Sequence, residues 1–315
     1  MHLHIAFSSD DNYIQHLGVA IISLLENNKG FDQITIHILD NGISPAGKST
    51  LRSLTASYGR AIIFHELQQL LQGLKAYGIP DTISIASYSR LFLPVLLDAS
   101  VDRVIYADCD AVFEASLEEL YAMDMASYTV AAVEDHVGLS NKTNIGISEQ
   151  ARYINAGFLM LDLEKMRAAD AVSVMTAFIR KHDGKVQHHD QGVINGVFAD
   201  DILILHPKYN AMTSFWEFRT VRDIEQYYGA SPYYPDALIQ EARQQPVFVH
   251  FTPCFSNRPW YSNSSHPLKD RYLYYKSLSP WKDAPLQKDQ RSLKFRMLDM
   301  IFKAVGPRYY KMLFK

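Results

Sequence analysis

Apolar and polar stretches alternate in a regular order along the first part of the chain. Short apolar runs at Leu3–Phe7, Gln33–Leu39 and Ala61–His65, each followed by polar residues, predict three strands. Apolar residues recur at helical spacing from Ile14 onwards, and Ser44-Pro45 predicts a second helix with a serine cap and a proline in its first turn. This order predicts an α/β fold with a doubly wound, mostly parallel sheet and helices on both faces.

A fourth apolar run, Val104–Ala107, ends abruptly in Asp108 and Asp110. Ligands of open α/β sheets bind just beyond the carboxyl ends of strands, which is where this acid pair falls. Two carboxylates so close together repel each other, and a hard divalent ion such as Mg²⁺ or Mn²⁺ removes the conflict and can also clamp phosphates. The alternative is a solvated turn, because Asp-x-Asp is a common tripeptide.

Two later stretches place polar groups beside predicted apolar elements. Tyr88–Leu97 reads as a mostly buried helix with one cation, Arg90, whose partner is an anionic ligand, a catalytic carboxylate or a structural acid. Asn155–Gly157 precedes the apolar strand Phe158–Leu161, and its small residues would let a ligand approach the backbone closely.

The pair Asp190-Gln191 follows two histidines and precedes the predicted helix Val193–Phe198. An N-cap role explains the aspartate but not the glutamine, and adjacent histidines rarely point to one zinc ion. The strand Val247–Phe251 carries His250, which is either a hydrogen-bonded core residue or a nitrogen ligand that completes an Asp-Asp-His site.

Three longer segments have a weaker pattern. Leu163–Lys181 predicts one amphipathic helix, and Gly138–Arg152 predicts a loop or lid over a site. An aromatic segment from Tyr209 to Tyr234 has little periodicity and predicts loops. Its rings could stack on sugars if exposed, or form a small aromatic core under the loops.

Composition narrows the class of protein. The 315 residues are 48% hydrophobic and 21% charged, which is ordinary for a globular enzyme, and the net charge of −3 argues against a nucleic-acid partner. Only two cysteines occur, which predicts a reducing compartment and no disulfide framework. With no secretory signal pattern and no apolar stretch of about 20 residues, we expect a cytoplasmic protein.

The C-terminal end has a different charge from the rest. Between Lys288 and Lys315 eight basic residues face two acidic ones, a net charge of +6, with apolar residues at helical spacing between them. Such a basic amphipathic tail suits an anionic membrane surface and peripheral attachment to the inner face of the cytoplasmic membrane. The alternative is a terminal helix that packs on the body of the protein. We therefore expect a catalytic domain at 1–287, with a nucleotide part at about 1–115 and an acceptor part at about 116–287, and a tail at 288–315.

Taken in chain order, these blocks resemble glycosyltransferase family 8, the retaining GT-A enzymes that include glycogenin and bacterial lipopolysaccharide galactosyl- and glucosyltransferases. The resemblance covers about Leu3 to Trp260, and the ordered set is specific although each block alone is weak. The blocks that carry it are Asp10-Asp11-Asn12-Tyr13, Arg90, Asp108-Cys109-Asp110, Asn155-Ala156-Gly157, Asp190-Gln191, and His250 with Arg258-Pro259-Trp260.

The resemblance implies a UDP-hexose donor and Mn²⁺ or Mg²⁺. It implies that Asp108, Asp110 and His250 are the metal ligands. The residues implied at the uridine end are Asp10, Asn12, Ile83 and Ile85. Those implied around the phosphates and donor sugar are Arg90, Asp108, Cys109, Asn155, Ala156, Gly157, Asp190, Gln191 and Arg258. The implied catalytic residues are Gln191, Asp190, Arg90, Asn155 and Asp135, the last of which falls near the acceptor.

The loop after His250 departs from the family pattern His-x-x-Gly-x-x-Lys-Pro-Trp. It is two residues longer before Pro259, has Pro253 at the glycine position and has Arg258 in place of lysine. Arginine can still pair with phosphate, and more rigidly than lysine.

The sequence therefore predicts a hexosyltransferase that moves galactose or glucose to a hydroxyl of a bacterial surface glycan, with a glycan or lipid-linked saccharide as acceptor. Such glycans include lipopolysaccharide, capsule and exopolysaccharide. One alternative is a nucleotide-sugar-binding protein without transfer activity. Another is a sugar nucleotidyltransferase, although no glycine-rich N-terminal loop with a following basic residue is present.

Overall fold

The computed structural model of the protein describes residues 1–67, 88–230, 232–289 and 291–314, and a mixed β-sheet runs through its centre. The strands are β1 (His2–Ser9), β2 (Gln33–Asp40), β3 (Ala61–Glu66), β4 (Arg103–Ala107), β5 (Ala111–Phe113), β6 (Val130–Glu134), β7 (Ile154–Asp162), β8 (Ile202–Ile204), β9 (Ala211–Met212) and β10 (Phe248–His250). Within the described ranges, seven strands form the main sheet in the order β3-β2-β1-β4-β7-β6-β8, and three form a small sheet in the order β5-β10-β9.

Helices flank both sheets. They are α1 (Ile14–Asn27), α2 (Pro45–Ser57), α3 (Leu93–Leu96), α4 (Glu118–Tyr121), α5 (Leu139–Thr143), α6 (Leu163–Ala168), α7 (Ala171–Lys181), α8 (Asp190–Val197), α9 (Ser214–Glu217), α10 (Val221–Tyr228), α11 (Asp236–Gln244), α12 (Lys269–Ser277) and α13 (Leu293–Phe314). Short 3₁₀ turns occur at Ser89–Phe92 and Pro207–Asn210. As predicted, Ser44 caps α2, accepting a hydrogen bond from the backbone N–H of Gly47.

The main sheet is mostly parallel, which confirms the predicted fold class. Strand β1 runs parallel to β2 and β4, β2 runs parallel to β3, and β6 runs parallel to β8. Strand β7 runs antiparallel to its neighbours β4 and β6. The first residues of β7 therefore lie beside the last residues of β4, at the edge where ligands of such sheets bind.

Apolar clusters cover both faces of the main sheet. Successive side chains of a strand point to opposite faces, and accordingly Leu3, Ile5 and Phe7 belong to one cluster, together with α1, while Ala6 belongs to the other. A sheet buried on both faces needs apolar residues at successive positions. This is why the strands read in the sequence as short continuous apolar runs.

The structure corrects two predicted helices. The stretch 88–97 is a 3₁₀ turn followed by the short helix α3, with Pro94 in its first turn rather than one continuous helix. The stretch 163–181 forms two helices, α6 and α7, because Asp170 between them has a left-handed backbone with φ of 46°. Aspartate is among the few residues that visit this conformation readily, so the periodic apolar pattern continued across the break.

The aromatic segment from Tyr209 to Tyr234 contains the strand β9 and the helices α9 and α10, so the prediction of loops there is wrong. Its rings belong mostly to the core: Tyr209, Phe215, Phe218, Tyr233 and Tyr234 are each at most 8% exposed. This corresponds to the alternative of an aromatic core.

The C-terminal helix α13 packs on the rest of the chain. Its two helical segments meet at Gly306, whose φ is 75°. Phe302 is 4% exposed and stacks on Phe255 with ring centroids 3.3 Å apart. Across the described ranges, no helix is both long and apolar enough to span a membrane.

A row of histidines crosses β1, β2 and β3 on one face of the sheet. His4 Nδ1 lies 3.1 Å from His37 Nε2, and His37 Nδ1 lies 3.1 Å from His65 Nε2. Burial is the main cause that lowers the pKa of each ring, to about 4 for His4 and about 3 for His37, and the neighbouring histidines lower these two further. The row is therefore stable in its neutral form.

The protein should lose stability as the pH falls from 6.5 towards 4, because the unfolded histidines take up protons that the folded row does not. His37 is 3% exposed, and its shift alone should contribute about 2 kcal/mol of this loss. Replacing it by glutamine should flatten the pH dependence of the free energy of unfolding, measured in urea from pH 7.5 to 4.5. His182→Gln, outside the row, is the control; equal slopes for both variants would contradict the assignment.

Candidate active site

The acid pair stands where β4 ends, as predicted. The Asp108 backbone N–H donates to the Gly157 carbonyl at 2.8 Å, which ties the end of β4 to the start of β7. The Tyr106 hydroxyl donates to Asp108 Oδ1 at 3.0 Å. The short strand β5 follows at once and pairs antiparallel with β10, so that His250 lies opposite Ala111.

This pairing brings together Asp108, Asp110 and His250, which we call the Asp-Asp-His cluster. Their ligand atoms all lie within 4.8 Å of one another. His250 Nε2 is 3.2 Å from Asp110 Oδ1 and 3.8 Å from Asp108 Oδ2. Two carboxylates and one imidazole nitrogen at such distances fit a single divalent cation.

Gly157 makes room for the cluster. A Cβ at this position would lie 2.7 Å from His250 Nδ1 and 2.9 Å from Asp108 Oδ2, closer than such atoms approach. Glycine is therefore required by close packing rather than by backbone conformation. This explains in physical terms why a small residue occupies the start of β7.

Cations already balance part of the negative charge. Burial alone would raise the pKa of Asp110, but His250 and Arg258 hold it at about 2. Arg258 Nη2 lies 3.1 Å from Asp110 Oδ2, and its Nε donates to the Phe251 carbonyl. Burial opposes the charged form of His250, yet the Asp110 carboxylate raises its pKa above the usual value.

Arg90 links the cluster to α8. Its guanidinium stacks on the Tyr106 ring at 4.1 Å and lies 3.0 Å from Asp108 and 2.7 Å from Asp190. It also donates to the Ala156 carbonyl at 2.6 Å. Burial raises the pKa of Asp190 to about 6, although Arg90 opposes the shift. A largely enclosed arginine that is fixed on several sides is a preorganised partner for anionic groups.

The turn before α8 is strained. His188 and His189 both have positive φ, 59° and 52°, which is uncommon for residues other than glycine. The Tyr153 hydroxyl lies 2.9 Å from His188 Nδ1 and fixes this turn. Strained non-glycine residues are typical of functional turns, and this turn directs Asp190 and Gln191 towards β7.

Gln191, Asp135 and Asn155 form a hydrogen-bonded group beside the cluster. Gln191 Nε2 and Asn155 Nδ2 donate to the same oxygen of Asp135 at 2.9 and 3.0 Å. Gln191 Oε1 accepts from the Ala156 N–H at 3.0 Å. Each amide is therefore held in one orientation.

A cavity of about 490 Å³ lies beside Asp108 and Arg90, which both line it. Asp10 accepts hydrogen bonds from the backbone N–H groups of Asn12 and Tyr13, which shapes the loop after β1. Cys109 is buried, and its thiol contacts the Ser8 carbonyl rather than the cavity. The lining residues are Ser8, Ser9, Asp10, Tyr13, Asn41, Arg90, Tyr106 and Asp108. Ile83 and Ile85, predicted to line the uridine pocket, lie outside the described residues.

Sequence reasoning missed three residues of this region. Tyr106 reads as an ordinary strand residue, and Asn41 reads as part of a turn after β2. Asn210, which is fully buried, bonds both Asn155 and His250. An isolated asparagine before a two-residue strand gives no periodic signal, and only its partners reveal it.

Comparisons with known proteins show which family the chain belongs to. The chain is 32% identical to general stress protein A of Bacillus subtilis over 89% of its length and 94% of that protein. It is 24% identical to lipopolysaccharide 1,3-galactosyltransferase of Salmonella typhimurium, over 99% of its length and 90% of that protein. The crystal structure of galactosyltransferase LgtC with donor and acceptor sugar analogs superposes with a TM-score of 0.70 at 23% identity, covering 89% of this chain and 99% of that one.

The fold and the position of the Asp-Asp-His cluster define a GT-A glycosyltransferase. The sequence profile described as "Glycosyl transferase family 8" matches residues 4–264, so the chain belongs to that family. The resemblance to this family, inferred from the ordered motifs, is thus confirmed.

Gly157→Ala should displace His250 and Asp108, because the new methyl group overlaps both side chains. We expect a loss of about 1–3 kcal/mol in the free energy of unfolding and a weaker affinity for Mn²⁺, measured by titration of the metal-free protein. Gly59→Ala is the control, because its φ of 64° strains an alanine while nothing lies within 4 Å of the added Cβ. Equal Mn²⁺ affinity in both variants would contradict this role of Gly157.

Proposed function

We propose that the protein is a retaining hexosyltransferase that uses Mn²⁺ or Mg²⁺ and moves galactose or glucose from a UDP-sugar to a hydroxyl of a bacterial surface glycan. The observation that carries the proposal is the Asp-Asp-His cluster. Its Asp108 lines the cavity of about 490 Å³ together with Arg90, which also pairs with Asp190. A nucleoside diphosphate needs such a site, with a cation for its phosphates and a recess for its nucleoside.

The donor would lie across this edge of the sheet. Its uridine end would occupy the cavity near Asp10 and Asn12, with Ile83 and Ile85 as further contacts. Asp108, Asp110 and His250 would hold the cation. The residues proposed around the phosphates and the sugar are Arg90, Cys109, Asn155, Ala156, Gly157, Asp190, Gln191 and Arg258, with Cys109 contributing through its backbone.

The groups around the sugar favour same-face transfer. Gln191 is an amide and a poor nucleophile, and its hydrogen bonds to Ala156 and Asp135 fix it in place. The acceptor hydroxyl would attack from the side that the phosphate leaves, and the departing phosphate would take its proton. When bound, the cation would neutralise the charge that develops on the UDP leaving group.

Asp135 marks the acceptor side of the proposed site. It accepts two amide hydrogen bonds and lies at the end of β6, before the stretch 138–152 that we predict to cover the acceptor. Relatives named for lipopolysaccharide galactosyl and glucosyl transfer support a glycan or lipid-linked saccharide as acceptor.

Incubation with UDP-galactose or UDP-glucose and Mn²⁺ should release UDP slowly even without acceptor. Asp108→Asn and Asp110→Asn should each lower this rate at least 100-fold while leaving the circular dichroism spectrum unchanged, because an amide binds a hard cation poorly. Asp201→Asn, remote from the cluster, is the control.

Activity that persists in EDTA would refute the metal assignment. If every UDP-sugar is inert and UDP does not bind, the whole proposal fails. UDP binding without turnover would instead indicate a nucleotide-sugar-binding protein, and pyrophosphate release would indicate a nucleotidyltransferase.

The tail at 288–315 would attach this enzyme to an anionic membrane surface. While Phe302 packs inward, Phe295, Met297 and Met300 are 42%, 57% and 63% exposed, and the exposed Lys294 and Arg296 stand among them. Exposed apolar side chains interspersed with basic ones on a helix support its attachment to an anionic membrane interface. Lipid-linked acceptors would give such attachment a purpose.

The full chain should co-sediment with vesicles containing phosphatidylglycerol, and the triple variant Phe295→Ser, Met297→Ser, Met300→Ser should not. High salt should weaken the binding of the intact chain, since each basic residue near such a surface contributes about 1 kcal/mol. A triple variant at Ile63, Val95 and Val174, which are similarly exposed elsewhere, is the control. Absence of vesicle binding by the full chain, or equal loss in both variants, ends the attachment proposal.

A further inference from the structure

Asn210 joins two parts of the site that belong to different sheets. It ends the turn Pro207–Asn210 directly before β9, and β9 runs parallel to β10, which carries His250. Its side chain is fully buried between His250 and Asn155. A buried amide has one carbonyl oxygen and one NH₂ group to satisfy, so its orientation is determined by what its neighbours can accept or donate.

The orientation of Asn155 is fixed first. Its Nδ2 donates to Asp135 Oδ2 at 3.0 Å, and an ionised carboxylate only accepts. Its Oδ1 accepts from the Gly157 backbone N–H at 3.0 Å, and a backbone N–H only donates. Both contacts require the same assignment, so Asn155 presents an oxygen to Asn210.

The orientation of Asn210 follows. Because Asn155 presents an acceptor, Asn210 must turn its NH₂ group towards it, at 2.9 Å. Its carbonyl oxygen then faces His250 Nδ1 at 3.1 Å. An amide oxygen is only an acceptor, so His250 carries a proton on Nδ1.

A neutral imidazole with its proton on Nδ1 has a lone pair on Nε2. That nitrogen faces Asp110 and Asp108. A lone pair directed at carboxylate oxygens is unfavourable unless a proton or a metal ion lies between them, and a bound metal ion would take the place of the proton. Metal-binding histidines commonly donate their other ring N–H to a fixed acceptor, which sets the tautomer and orients the ring.

We infer that Asn210 is a positioning residue that holds His250 with its Nε2 lone pair directed at the cation position and connects that position to the amides of the donor-sugar site. The connection runs from His250 through Asn210, Asn155 and Asp135 to Gln191, each step a hydrogen bond of 2.9 to 3.1 Å. The role in cation binding follows from the geometry alone, whereas the role towards the donor sugar rests on the proposed function.

Mn²⁺ affinity of the metal-free protein, measured by the electron paramagnetic resonance signal of free Mn²⁺, tests the first role without any donor. Asn210→Leu should weaken binding 10- to 100-fold, the usual loss when the partner of a metal-binding histidine is removed. Asn210→Asp keeps an acceptor for His250 Nδ1 and should bind Mn²⁺ as tightly as the wild type or more tightly.

Asn195→Leu is the matched control. Asn195 is also fully buried, but it bonds the backbone of Ile154 and Gln191 and has no contact with His250. Its replacement should reduce stability while leaving Mn²⁺ affinity within about threefold of the wild type. Wild-type affinity in Asn210→Leu, or an equal loss in Asn210→Asp or Asn195→Leu, would overturn the inference.

Asn210→Asp tests the role of Asn210 towards the donor sugar. It also provides a test if Asn210→Leu does not fold. A carboxylate at this position faces the Asn155 oxygen with an acceptor in place of a donor. UDP release from UDP-galactose and UDP-glucose should therefore fall at least tenfold while Mn²⁺ affinity is kept. If Asn210→Asp retains both UDP release and Mn²⁺ affinity, this role is overturned. The same holds if it loses both. If the wild type binds Mn²⁺ and the predicted order of affinities holds but no UDP-sugar is turned over, the proposed function fails while the role of Asn210 towards His250 stands.

Discussion

The constraint on which the site depends is the negative charge gathered at one edge of the sheet. Asp108 and Asp110 follow β4. Asp190 is the first residue of α8, and Arg90 contacts both Asp108 and Asp190. Carboxylates this close repel each other unless positive charge is fixed between them. Arg90 supplies this positive charge on one side, and Arg258 and His250 supply it on the other. These basic side chains therefore stabilise the fold as well as form part of the site.

The fixed cations in turn depend on groups without charge. Arg90 lies over the Tyr106 ring and donates a hydrogen bond to the Ala156 carbonyl, so it is held in one position more firmly than a free surface side chain. Asp135 is satisfied by the side-chain amides of Asn155 and Gln191 and by the His136 backbone N–H rather than by a cation. The edge is therefore divided between a region balanced by charge and a region balanced by hydrogen bonds. The first suits phosphates, and the second suits the hydroxyl groups of a sugar.

Much of the fold and part of the candidate site could be predicted from the sequence, because local features leave a pattern in neighbouring residues. A strand that ends in acids leaves a mark in the local pattern, as do Ser44-Pro45 at a helix start and Asn155–Gly157 before a strand. Contacts between distant segments leave none: Tyr106 beneath Arg90 and Asn210 beside His250 become visible only when the sheets are assembled. The break at Asp170 was missed because the apolar period runs through it. The aromatic rings near Tyr209 and Tyr234 were ambiguous because burial depends on helices that pack above them.

Two neighbouring parts of the site differ in how well they tolerate insertions and deletions: the strand β7 and the stretch 138–152 before it. Side chains of a strand alternate between faces, so one residue added or removed within Ile154–Asp162 would turn Asn155 away from Asp135 and bring a bulkier residue to the place of Gly157. The polar stretch 138–152 that precedes it has no such register to keep. Homologues that differ in acceptor would therefore be expected to vary in length there, while the strand that follows stays the same length.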